Sequence, residues 1–172
     1  SALASATKRI RLGTMLLCNL FRHPPLLAKM ASTLDVISGG RLEFGIGAGW
    51  AENECLDYGI EFPRPSVRIE MLKEAVKIVK GMWTQEQTYY EGIHYRVKGA
   101  YCEPKPLQKP HPPITIGGGG EKLTLKLVAE EADRSNFGGP PPEFERKLQI
   151  LRTHCKRVGR DFDEIEKSCN LS

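Results

Sequence analysis

The sequence predicts an α/β protein built on a parallel sheet with crossover helices. Three observations predict it: the order strand then helix recurs along the chain, glycine runs follow apolar strands, and one long segment carries a regular helical repeat. Parallel strands need a crossover between them, most often a helix, so the alternation points away from a β-meander. At 172 residues, 40% hydrophobic and 27% charged, the chain has the composition of a globular domain with a real core.

The opening SALASATK reads as a helix end, and Arg9 to Leu17, RIRLGTMLL, as a buried strand running into a loop at Cys18 and Asn19. In LLAKMASTLDVI, Leu26, Leu27, Met30, Leu34 and Ile37 fall at helical spacing, opened by Pro24 and Pro25 and closed by Gly39 and Gly40. Arg41 to Gly47 returns to strand. Val67 to Trp83 repeats Ile69, Leu72, Val76 and Val79 on one face, with charges opposite. Residues 84–112 mix Tyr, Gly, Pro and charges, and YYEGIHYRV suggests a small hairpin in an insertion. PPITIGGGGEKLTLKLVAEEAD then runs strand, glycines, helix, and DRSNFGGPPPEFERKLQILRTHCKRVG repeats the order. The apolar stretch from Glu166 to Ser172 closes a set of about five strands.

Two architectures accommodate this order, an open doubly wound sheet and a closed eight-stranded barrel, and both place ligands at the carboxyl ends of the strands. A barrel ordinarily needs roughly 200 residues or more, so the chain is expected to be one domain, 1–172, cut at both ends and about three strands short.

The net charge of +4 is dispersed, with no basic block of the kind that binds nucleic acid. No apolar run approaches the ~20 residues of a membrane span, and the start lacks the apolar core of a signal peptide. The five cysteines, Cys18, Cys55, Cys102, Cys155 and Cys169, show no C-x-x-C pair and no metal-ligand spacing to a histidine. A reduced cytoplasmic protein without a metal is the expectation, taking a small-molecule substrate and no nucleic acid or membrane partner.

Gly117, Gly118, Gly119 and Gly120 follow a β-branched strand and precede a helix. Without Cβ atoms their N–H groups can converge on an anion, assisted by the helix N-terminus, so they form a candidate phosphate site; the structural alternative is a flexible turn. The Gly-Lys-Ser/Thr of a Walker loop is absent. The run Gly45 to Gly49 ends in Trp50 where a dinucleotide fingerprint needs glycine, which excludes that fingerprint. Its small residues would still let a flat ring approach, beside Trp50, Asn53 and Glu54; tight strand-on-helix packing is the competing reading. His23, in a loop at a strand end, is a candidate acid or base, although such a histidine more often serves structure, and its neighbour Arg22 could pair an anion. His94, His111 and His154 have weaker positions. Cys18 is read as packing, and Glu52 and Glu54 as acidic residues favoured at a helix start.

Four segments taken together, RIRLGTMLLCNLFRHPPLLAKMASTLDVISGGRLEFGIGAGW, PRPSVRIEMLKEAVKIVKGMW, YCEPKPLQKPHPPITIGGGG and LVAEEADRSNF, resemble the luciferase-like superfamily of monooxygenases and coenzyme F420-dependent oxidoreductases. The resemblance implies a parallel (β/α) barrel of the TIM type, incomplete here, with the third to seventh strands present. It implies that the strand matching GTMLL ends in a non-proline cis peptide, which places Met15 and Leu16 behind a flavin-like ring. Ala48, Gly49 and Asn53 would line the ring and ribityl chain, Gly117 to Gly120 would hold the phosphate, and Trp50 would stand in the substrate pocket. Trp50 replaces the acidic proton donor of the family's sugar-phosphate dehydrogenases, which disfavours that substrate. The implied activity is hydride transfer between a small organic substrate and F420, with an FMN-dependent monooxygenase as the alternative. An inactive barrel fragment that pairs its open edges in a homo-oligomer is the reading from another class.

Overall fold

The computed structural model describes residues 1–170. A short helix α1 (Ala2–Ala6) leads into β1 (Leu12–Gly13) and β2 (Leu17–Cys18), followed by α2 (Pro24–Ser38), β3 (Leu42–Gly47), α3 (Glu52–Asp57) and α4 (Pro65–Thr84). Next come β4 (Gln87–Glu91), β5 (Arg96–Tyr101), β6 (Ile114–Gly117), α5 (Thr124–Glu131), β7 (Arg134–Asn136), α6 (Pro141–Val158) and β8 (Glu166–Ser168). The order β1-β3-β6-β7-β8, with β2 also on β3, is parallel throughout and curls into half of a barrel. β4 and β5 pair antiparallel as a separate two-stranded sheet.

The expected single strand over 9–17 is two short pairings on β3. Between them Thr14 turns its hydroxyl to the Gly45 carbonyl at 2.8 Å and receives the Gly45 N–H at 3.3 Å, so a side chain replaces the missing ladder bonds. The Met15–Leu16 peptide is cis. The closing strand is also shorter than expected, spanning Glu166–Ser168, and positions 171–172 of that expectation lie outside the described residues.

Side chains alternate across a strand, so each strand divides its residues between helices and barrel interior. Phe44, Ile46, Ile114 and Ile116 face the helices and are at most 1% exposed. Paired residues in parallel register share a face, so Gly45 with Thr115, and Gly47 with Gly117 and Asn136, face inward. At the amino end of that interior, Glu43 is bracketed by Arg11 and Arg134, and Arg134 also meets Glu166 at 2.7 Å. Charge closes one end, and small residues leave room at the other.

α4 extends the expected helix by two residues at its start and one at its end. Leu72, Val76 and Val79 are fully buried as its repeat requires. Glu74, expected among the exposed charges, is instead 9% exposed and accepts the backbone N–H groups of Ile93, His94 and Tyr95 at 2.8–3.0 Å. It caps the turn of the β4–β5 hairpin.

α2 buries a different face from the one its large residues mark. Leu27, Ala28, Ala31, Ser32 and Asp35 are buried, whereas Leu26, Met30 and Ile37 are exposed. The buried stripe is narrow because α4 comes close enough for the Trp83 indole N–H to reach the Ala28 carbonyl at 3.0 Å, while Trp83 packs edge-on against Phe44. Asp35 is the second polar anchor, accepting the N–H groups of Leu107 and Gln108 at 2.8 and 3.1 Å.

Candidate functional site

At the carboxyl ends of β2, β3, β6 and β7 lies one continuous cavity of about 1160 Å³. Its first wall is the segment after the cis peptide and the end of β3: Leu16, Leu17, Gly47, Ala48, Gly49 and Trp50. Leu16 fills the space the inward glycines give up, since a Cβ on Gly117 would land on its Cδ1 and one on Gly45 would meet both its Cδ2 and the Thr14 carbonyl. Trp50 stands at the mouth, 90% exposed. Phe21, Ile69 and Arg68 complete this end; Arg68 lies over the Phe62 ring at 3.8 Å.

The other end is the loop Gly117 to Gly120 and the turn that follows. Gly118 has φ +117, a conformation that side chains disfavour, and its N–H donates to the Asn136 carbonyl at 2.9 Å. That bond removes Gly118 from the expected set of anion donors. Among the described residues, no backbone carbonyl accepts from the N–H groups of Gly119 and Gly120. The expected immediate transition from glycines to helix is also modified: Glu121 to Leu123 form a turn, and α5 begins at Thr124. A Cβ on Gly120 would sit 2.7 Å from the Thr124 hydroxyl, and one on Gly119 would sit 2.9 Å from the Lys147 Nζ. Glycine thus lets the backbone approach two polar groups that can donate to an anion.

Of the residues singled out from the sequence, Met15, Leu16, Ala48, Gly49, Trp50 and Gly117 to Gly120 line this cavity. Asn53 does not, because α3 turns it outward, where it is exposed. His23 caps α2 from outside the cavity and packs edge-on against Tyr95, with ring centroids 5.6 Å apart. Cys18 does more than pack: it lines the cavity beside Cys55, whose thiol is pushed up by burial and then by Cys18 itself. Sequence reasoning missed Lys147, Thr124 and Asn136. Thr124 follows the loop by four residues as the first residue of α5, whereas the β6–β7 register brings Asn136 beside Gly117 and α6 delivers Lys147 from further along the chain. No group of three or more His, Cys, Asp or Glu residues able to hold a metal occurs among the described residues. Among them, too, no helix is long and apolar enough to cross a membrane.

A cavity at the carboxyl ends of a curled parallel sheet, walled by a glycine loop, is the arrangement of a ligand-binding (β/α) barrel. The chain belongs to the luciferase-like monooxygenase family, whose model matches residues 1–172. An F420-dependent glucose-6-phosphate dehydrogenase of Microbacterium testaceum is 36% identical over 168 residues, covering 96% of this chain and 49% of that protein. The solved coenzyme F420-dependent tetrahydromethanopterin reductase of Methanopyrus kandleri superposes with a TM-score of 0.88 at 25% identity, over 99% of this chain and 52% of its own. A monooxygenase from Streptomyces bottropensis does so with a TM-score of 0.83 at 26% identity, again over 99% and 52%. The chain therefore spans about half the length of the relatives it matches.

Proposed function

We propose that the chain forms the cofactor-binding half of an oxidoreductase that moves a hydride between a small organic substrate and the deazaflavin F420. One observation carries this reading: a single cavity joins an apolar wall, Leu16 and Ala48 to Trp50, to a glycine loop whose near groups are donors. A ring-and-phosphate ligand has those two halves. The loop fits an anion, because the Gly119 and Gly120 N–H groups, the Thr124 hydroxyl and the Lys147 ammonium can all donate and a Cβ would fill the approach. When bound, the deazaflavin would supply a ring that accepts or gives up a hydride. The protein's part is to hold and orient: Leu16 backs the ring position, Ala48 and Gly49 leave its face clear, and Trp50 shields the mouth on the substrate side.

The likeness to F420-dependent relatives favours the deazaflavin, and the likeness to a monooxygenase keeps FMN as the second reading. Titrating the purified chain with F420 and with FMN, followed by cofactor fluorescence, separates them. Tighter binding of F420 is expected, preference for FMN would move the reading to a monooxygenase, and binding of neither would overturn both. Gly118→Val, placed at φ +117, is expected to weaken whichever cofactor binds.

A further inference from the structure

Lys147 rises from α6 and lies along the glycine loop, its Cδ, Cε and Nζ within 3.2 Å of the position a Gly119 Cβ would take. The side chain is 14% exposed, and its ammonium is held by Glu143, one turn earlier on the same helix, at 2.6 Å. That bond and the ammonium charge hold the Glu143 carboxyl below the usual carboxylate range. Both side chains line the cavity, together with Lys122 and Thr124. The cavity's other carboxylate at this end, Glu121, is bound to Arg146 at 2.6 Å. Glu143 is therefore the acceptor set directly against a group of donors.

Building on the cofactor reading above, we propose that Glu143 competes with the ligand's phosphate for Lys147. A phosphate docking at Gly119 and Gly120 takes the ammonium and displaces the carboxylate, so Lys147 detects the phosphate and Glu143 sets how tightly it is held. The exchange is chemically balanced, one anion for another on the same cation, with no covalent step. A phosphate monoester as in FMN is the stronger competitor because it brings more acceptor oxygens and more charge. The singly charged phosphodiester of F420 gains its advantage from the Gly119 and Gly120 N–H groups and the Thr124 hydroxyl that it meets together with the ammonium. The displaced carboxylate has somewhere to go: Glu143 is 42% exposed and sits in the first turn of α6, where water and the helix N-terminus both favour its charge.

Two ligand pairs test this: FMN with riboflavin, which differ only in the phosphate, and F420 with its phosphate-free deazaflavin, which also lacks the acidic tail beyond the phosphodiester. The chain, Lys147→Met, Glu143→Gln and the double variant are titrated with both pairs by fluorescence, with circular dichroism verifying that each variant is folded. Lys147→Met is expected to weaken the phosphorylated ligand by roughly tenfold, the worth of one charge-assisted hydrogen bond, and to leave its partner unchanged. Glu143→Gln is expected to tighten the phosphorylated ligand alone, and that gain should vanish in the double variant. Equal weakening of both members of a pair by Lys147→Met would show a packing role and overturn the proposal. So would a Glu143→Gln gain that is absent or survives without Lys147, or a wild type that binds both members alike. If no ring ligand binds, the cofactor reading fails separately, and inorganic pyrophosphate followed by phosphorus NMR decides the competition. Binding that needs Lys147 and is opposed by Glu143 supports it; anything else overturns it.

Discussion

A carboxylate that holds three backbone N–H groups at once ties a turn more firmly than any apolar contact on that turn. Glu74 does this for Ile93, His94 and Tyr95, and Gly92 leaves the room, since a Cβ there would overlap the Glu74 carboxylate. Glu74→Ala is expected to destabilise the chain by about 2–4 kcal/mol, because hydrogen bonds to a charged group are worth ~1.5–3 kcal/mol each and solvent replaces them only in part. A urea unfolding midpoint measures this, and a change within about 0.5 kcal/mol would show that the turn holds without it. Glu74 was not legible in the sequence: on a helix of alternating charge it reads as surface, and its partners lie about twenty residues on.

At the scale of elements, the chain announces its helices better than their buried faces. Proline pairs at the start and glycine at the end placed α2 correctly, and the repeat of Leu72, Val76 and Val79 placed both α4 and its face. On α2 the largest apolar residues misled, because helices in close contact bury small side chains, and Ala28 and Ala31 give no hydrophobic signal. Ala28→Leu should therefore overpack the α2–α4 contact and cost about 1–3 kcal/mol, whereas Met30→Gln, on the exposed face, should stay within about 0.5 kcal/mol. Paired thermal melts would reverse this order if the large residues were the packed ones. The candidate site divides the same way. Its glycines were legible as local motifs, and Thr124 lies within the same local stretch, but Lys147 and Asn136 reach the loop through helix packing and strand register, which no local pattern encodes.

Across the whole molecule three thiols and two phenols of the interior share one sign of response to pH. Burial pushes the thiols of Cys55, Cys102 and Cys155 up, and burial does the same to the Tyr90 and Tyr95 phenols, with the charge of Glu74 adding to both. Each group keeps its proton in the folded chain over a range where the unfolded chain has lost it. The folded state then binds more protons, and stability falls as pH rises. Urea midpoints should thus be level up to about pH 8 and decline above about pH 8.5, where unfolded thiols ionise, with tyrosine extending the loss towards pH 10. Cys55→Ser would remove part of this slope if it folds, and a midpoint that rises with pH would contradict the assignment. Within the cavity, Gly117 yields its side-chain volume to one neighbour, Leu16, whereas Gly45 behind it is closed by the Thr14 carbonyl as well. Positions 16 and 117 therefore do not vary independently: a methyl group is admitted at 117 only as carbon is withdrawn from residue 16. Scanned singly, Gly117 would look as invariant as Gly45. Varied together with residue 16, it forms a size-exchange pair through which the depth of the pocket can be redistributed while its total filling stays constant.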